Sequence, residues 1–127
     1  MMREKYELEY NLNCSPKVLF SRLSTPEGLS EWFADNVNVE GDIFTFIWNN
    51  SESNARLIAL KENKFVRFEW IDENDEESNY FEFSIIIEEI SGSLALIITD
   101  FAEADEKVDA VSLWDSQIAD LKRALGI

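Results

Sequence analysis

The 127-residue chain carries 26 acidic against 11 basic residues, a net charge of −15, with 46% hydrophobic residues and no histidine. That length fits one globular domain, 1–127, with a core that needs no staples, and the charge excludes phosphate backbones and anionic lipid as natural partners. Without histidine there is no imidazole general base, no histidine-containing triad and no histidine metal ligand; no cofactor is expected, and a catalyst here would have to be built from Asp, Glu, Lys, Tyr or the lone Cys14.

The first segment, REKYELEYNL at 3–12, alternates Tyr6, Leu8, Tyr10 and Leu12 against Glu7, Glu9 and Asn11, the period of a half-buried strand. This charged N-terminus has no apolar signal-like region, no run approaches the roughly 18 apolar residues of a membrane span, and a single cysteine fits a reducing compartment. A cytoplasmic protein without membrane insertion is the expectation.

Ser15-Pro16 then starts a helix, with Ser15 as cap and Pro16 at the first position, where a missing N–H is harmless. Thr25-Pro26 repeats the device, so the first helix stops near Ser24 and a second, ending on Trp32-Phe33, begins at Pro26. Both are too short to stand alone. NVNVEGDIFTFIW reads as a hairpin turning at Glu40-Gly41-Asp42, with Phe44, Phe46 and Trp48 on one face. ARLIALKENKFVRFEW gives two strands joined at Glu62-Asn63, with Val66, Phe68 and Trp70 opposite Arg67 and Glu69. The acidic run 72–77 reads as a solvated loop without EF-hand register. YFEFSIIIEEI aligns Phe81, Phe83, Ile85 and Ile87, and Ser91-Gly92 turns into the last strand, SLALIITDF. Short turns between about seven strands imply an antiparallel sheet. A helix over 106–125 closes the chain, with Asp105 as candidate cap, Gly126 as stop, and a stripe of Val108, Val111, Trp114, Ile118, Leu121 and Leu125.

This order resembles the helix-grip α+β fold of the START and Bet v 1-like superfamily, most closely the Hsp90-ATPase-activator-homologue branch. The likeness is carried by SPKVLFSRLSTPEGLSEWF, by KFVRFEW at 64–70, and by LIITDF with LWDSQIADLKRAL, and it covers nearly the whole chain. It implies a curved antiparallel sheet of about seven strands wrapped around the C-terminal helix, with a cavity between them and the two short helices forming a V at one end. Where that branch often carries a histidine near the end of the last strand, this chain has Thr99-Asp100-Phe101.

Trp32, Phe46, Trp48, Phe68, Trp70, Phe83, Trp114 and Ile118 are the candidate ligand-binding residues, their rings lining an apolar pocket and the indole N–H groups serving as donors. The competing reading is that they are core. Asp100 and Asp115 read as ordinary solvated or capping carboxylates, Arg56 and Arg67 as surface residues, and Cys14 as structural. The expected function is a non-enzymatic domain holding a small hydrophobic or amphipathic ligand. The alternatives are a protein-interaction module of the Hsp90-activator type and, third, an enzyme of cyclase or dehydratase type.

Overall fold

The structure, a computed structural model, describes residues 3–71 and 79–127; the acidic run 72–77 lies outside the described residues. The strands are β1 Glu4–Leu12, β2 Asn36–Glu40, β3 Ile43–Trp48, β4 Ser51–Lys61, β5 Phe65–Trp70, β6 Tyr80–Ile87 and β7 Leu94–Ala102; the helices are α1 Pro16–Ser24, α2 Pro26–Leu29 and α3 Lys107–Leu125. All seven strands form one antiparallel sheet in the order β1-β7-β6-β5-β4-β3-β2. Strands β2 to β7 pair side by side in chain order, and β1 closes the far edge by pairing with β7, Leu8 opposite Ile98. This is the helix-grip arrangement the sequence implies.

Two tight turns use left-handed backbone, at Gly41 (φ +62°) between β2 and β3 and at Asn63 (φ +60°) between β4 and β5. The register of β4 against β5 slips between Leu57 and Ala59, leaving Ile58 as an extra residue. A bulge of this kind bends its strand and sharpens the local twist, which helps curve the sheet.

The helical pair is built as its prolines dictate. Ser15 Oγ accepts from the Val18 N–H at 3.2 Å, ahead of Pro16. Thr25 serves both helices: its hydroxyl donates to the Ser21 carbonyl at 2.6 Å and accepts from the Gly28 N–H at 3.0 Å. The second helix is shorter than expected and does not reach Trp32-Phe33. After Leu29 the N–H groups of Trp32, Phe33 and Ala34 all converge on the Leu29 carbonyl, at 3.4, 2.9 and 3.3 Å. The ladder stops advancing there, and the two aromatics fold inward from a turn.

In α3, Trp114, Ile118 and Leu121 are buried, with Val111 and Leu125 packed at the edge of the same core. Val108 departs from the expected stripe: it is 79% exposed, and burial begins one turn later. Asp105 is not the cap either. The chain reaches α3 through a turn in which the Glu106 N–H donates to Glu103 O at 2.9 Å; Glu106 takes the cap position without a side-chain bond. Gly126 ends the helix in left-handed conformation as expected. Ile87, at the end of β6, is exposed rather than buried with Phe81, Phe83 and Ile85. Among the described residues no helix is long and apolar enough to cross a membrane.

Candidate functional site

The concave side of the sheet is filled with aromatic rings. Phe46, Phe68 and Phe83 have no surface accessible to water, either outside or in an internal void, and Ile118 is 2% exposed. Trp32 and Trp114 are buried, while Trp48 and Trp70 are half-buried. The sequence-predicted set is therefore gathered around one interior. Its hub is Phe33, a residue outside that set. Phe33 stacks on Trp114 (centroids 5.8 Å, planes 21° apart) and on Phe81 (5.4 Å, 28°), and meets Phe46 (5.0 Å) and Trp48 (5.6 Å) edge-on. Such offset and edge-to-face contacts add to the burial of each ring.

Three indole N–H groups are engaged within the fold, contrary to the expectation that they serve as ligand donors. Trp32 Nε1 donates to Arg22 O at 2.7 Å, Trp48 Nε1 to Phe33 O at 2.9 Å, and Trp114 Nε1 to Asp100 Oδ2 at 2.9 Å. The first ties the 30–33 turn to α1, the second ties β3 to that turn, and the third ties α3 to β7.

Asp100 and Asp115 are more than solvated carboxylates. Asp100 Oδ2 accepts from both Trp114 and the Tyr6 hydroxyl (3.2 Å), and Oδ1 accepts from the Phe101 N–H at 2.8 Å. Burial pushes the Asp100 carboxyl above its ordinary 3.8; the hydrogen bonds from Phe101, Trp114 and Tyr6 oppose this without cancelling it. Burial, and after it the Asp100 charge, pushes the Tyr6 phenol well above 10.0, so the shared proton stays on Tyr6. At the next residue of α3, Asp115 Oδ1 accepts from the Tyr10 hydroxyl at 2.6 Å. Both tyrosines come from β1, so these two carboxylates fasten α3 to the strand pair β1–β7. Arg67 lies on the outer face as expected, paired to Glu82 at 2.8 Å, and Arg56 is exposed beside Asp42 at 3.7 Å.

An open groove of about 660 Å³ lies at one end of the aromatic interior. The 30–35 turn forms one wall, Trp48 contributes an aromatic side, and the α3 residues Leu113, Ser116, Gln117 and Asp120 form the other wall. Gln117 Nε2 donates to Phe33 O at 3.1 Å, the same carbonyl that holds Trp48, so helix, turn and β3 meet at one oxygen. Of the candidate residues, Trp32 and Trp48 line this groove. Phe33, which reaches from the groove into the core, sits on a turn and carries no periodic signal; its place beside Trp32 was the only hint in the sequence. Elsewhere, the carboxylates of Glu103, Asp105 and Glu106 approach within 4.8 Å of one another at the start of α3, on the surface; exposed acids of this kind are common without an ion.

Comparison with known proteins gives a consistent answer. A family model described as a START-like superfamily domain matches residues 1–127. A Bacteroides fragilis protein solved by solution NMR is 42% identical, with TM-score 0.70, covering 100% of this chain and 94% of that one. The Aha1 dimer of Colwellia psychrerythraea, also a solution structure, superposes with TM-score 0.83 at 20% identity, covering 98% and 97%. Protein MLL2253 of Mesorhizobium loti gives TM-score 0.77 at 16% identity, covering 97% of each chain. No curated protein matches.

Proposed function

This chain belongs to the START-like superfamily, and on that premise we propose that it is a non-enzymatic binding domain for a small amphipathic ligand, seated in the groove between the 30–35 turn, Trp48 and α3. The observation that carries the reading is the contrast between a tightly packed interior and an open groove of about 660 Å³ at its end, within the range of small-molecule sites. Trp48 and the 61%-exposed Leu113 offer apolar surface there, and burying it against a ligand contributes about 25 cal/mol per Å² before ordering costs. The interior residues Phe46, Phe68, Trp70, Phe83, Trp114 and Ile118 then support the groove from behind, with Trp32 and Trp48 at its surface.

Titration with a neutral amphiphile such as decanol, followed by amide and indole NMR shifts, tests this. Shifts centred on the Trp48 indole, the Gln117 side chain and residues 30–35 are expected. Leu113→Gln, a surface change, should weaken binding without altering the fold. Shifts spread over the strands, or none, would overturn the reading.

A second reading, a protein-interaction module, draws on exposed apolar side chains of β4 and β6: Ile58 (43%), Leu60 (48%), Ile86 (53%) and Ile87 (45%). Ile86 and Ile87 lie on opposite faces of β6, so both sides of the sheet present some of this apolar surface, and the similar Colwellia protein is described as a dimer. Sedimentation velocity across a protein-concentration series tests self-association; a single monomeric species throughout would remove that form of it.

A further inference from the structure

We infer that the groove selects cationic amphiphiles, a protonated amine carried on an apolar body, and rejects carboxylates and phosphates; the inference rests on the binding reading above and adds the ligand's charge. It follows from which hydrogen-bonding groups the walls leave available. The backbone N–H groups of all six residues from Ser30 to Asp35 are engaged inside the protein: Ser30 to Pro26 O, Glu31 to Gly28 O, Trp32, Phe33 and Ala34 to Leu29 O, and Asp35 to Ile47 O. The indole N–H groups of Trp32 and Trp48 are engaged as well. The Ser30 hydroxyl donates to Glu27 O at 2.8 Å, and one Gln117 N–H holds Phe33 O. The opposite wall is mid-helix, where each N–H is bonded to the preceding turn.

What remains is acceptor-rich. Glu31, Asp35 and Asp120 put three carboxylates on the groove, and no Lys or Arg lines it. Glu31 sits by Arg22, whose Nε lies 2.5 Å from Oε2 but off the hydrogen-bonding direction, and Asp120 is bonded by Arg123; neither arginine lines the groove. Among the described residues the exposed Asp35 has no ion-pair partner. An anionic head group entering here would lose hydration and find in return only neutral donors, the Ser116 hydroxyl and the second Gln117 N–H, facing three carboxylates. An ammonium would find Asp35, the Gln117 Oε1 and the free lone pairs of Ser30, with the −15 net charge adding a long-range attraction. Aromatic faces such as Trp48 also favour a cation over an anion.

Decylamine, decanol and decanoate share one hydrocarbon and differ in charge. Titrated at low ionic strength with the Trp48 indole and Gln117 side-chain signals as reporters, the amine should bind about fivefold tighter than the alcohol and about tenfold or more tighter than the acid. Asp35→Asn should bring the amine to the level of the alcohol, with the alcohol's shifts at the Trp48 and Gln117 reporters showing that the groove is still formed. Glu9→Gln, on the outer face of β1, should leave all three alone. Equal binding of the three probes would overturn the charge selectivity and leave the groove reading standing. An amine preference that survives Asp35→Asn would assign it to the overall charge rather than to this site, and sink the inference. If none of the probes binds, the groove reading itself fails and this one falls with it.

Discussion

The indole N–H of Trp114 on α3 and the carboxylate of Asp100 on β7 meet at 2.9 Å, and the Tyr6 hydroxyl of β1 reaches the same oxygen. Helix and sheet edge are thus joined through an acid that burial holds above its ordinary 3.8. The sign follows from linkage. A folded-state value above the unfolded one means that the folded protein holds this proton more tightly. The stability it contributes is full below 3.8 and is lost as pH rises through the raised value. Asp100→Asn removes the titration and leaves only a pH-independent offset. Urea unfolding of both proteins across that window should show the difference moving in favour of the Asn variant as pH rises, then levelling. A constant difference would mean that Asp100 titrates alike in both states.

Gly28 of α2 rests against α1. A Cβ added there would lie 2.1 Å from the Ser21 carbonyl oxygen and 2.6 Å from the Arg22 Cα, closer than real contacts allow. Alanine is intrinsically favoured over glycine in a helix by about 1 kcal/mol, so propensity alone predicts a gain from Gly28→Ala. The clash is with backbone and must win. The substitution should cost about 1–3 kcal/mol and lower Tm by roughly 5–10 °C. Trp32, bonded to Arg22 O at 2.7 Å beside this contact, should report the shift in its fluorescence. A variant as stable as the parent would show that the V between α1 and α2 opens freely.

Elements with a period were legible in the sequence, and their meeting points were not. Alternation in β1, β3, β5 and β6 put Tyr6, Phe46, Phe68 and Phe83 on the inner face, where they lie. The two Ser/Thr-Pro signals located the break at Thr25, because capping and the missing proline N–H are local chemistry. Phe33 could not be ranked this way, since a turn has no period and its ring contacts come from three other elements, β3, β6 and α3, besides its neighbour Trp32. Asp100 follows the alternation of β7 inward, but alternation does not reveal that Tyr6 and Trp114, 94 and 14 residues away, supply its donors. The same limit applies to the indoles: an amphipathic pattern places a tryptophan at the interior and leaves open which carbonyl its N–H finds.

Phe33 should therefore matter more to stability than its turn position suggests. Phe33→Ala empties a site ringed by Trp32, Phe46, Trp48, Phe81, Phe83 and Trp114, and is expected to cost about 3–5 kcal/mol. Phe33→Leu retains most of the volume and should cost about 1–2 kcal/mol. Both keep the carbonyl that holds Trp48 and Gln117. Chemical denaturation of the pair separates ring packing from backbone bonding; equal losses would place the stabilisation in the backbone.

The first turn of α3 offers a sharper contrast, because Val108 and Val111 sit on one apolar stripe in sequence yet differ in place. Val108 is 79% exposed, whereas Val111 packs against the core. Glutamate at 108 loses little burial and places a negative charge near the helix N-terminus, a favourable position worth about 0.3–1 kcal/mol. Against it stands repulsion from the neighbouring acids Glu103, Asp105 and Glu106, so Val108→Glu should stay within about 0.5 kcal/mol of the parent. Val111→Glu must desolvate a carboxylate at the edge of the core and should cost about 1–3 kcal/mol. Both add the same charge to a chain already at −15, and the two local charge effects at 108 oppose each other, so the difference between the variants is dominated by burial. Thermal unfolding of the two variants side by side decides it: equal destabilisation would mean that the first turn of α3 is seated on the core, with Val108 turned inward.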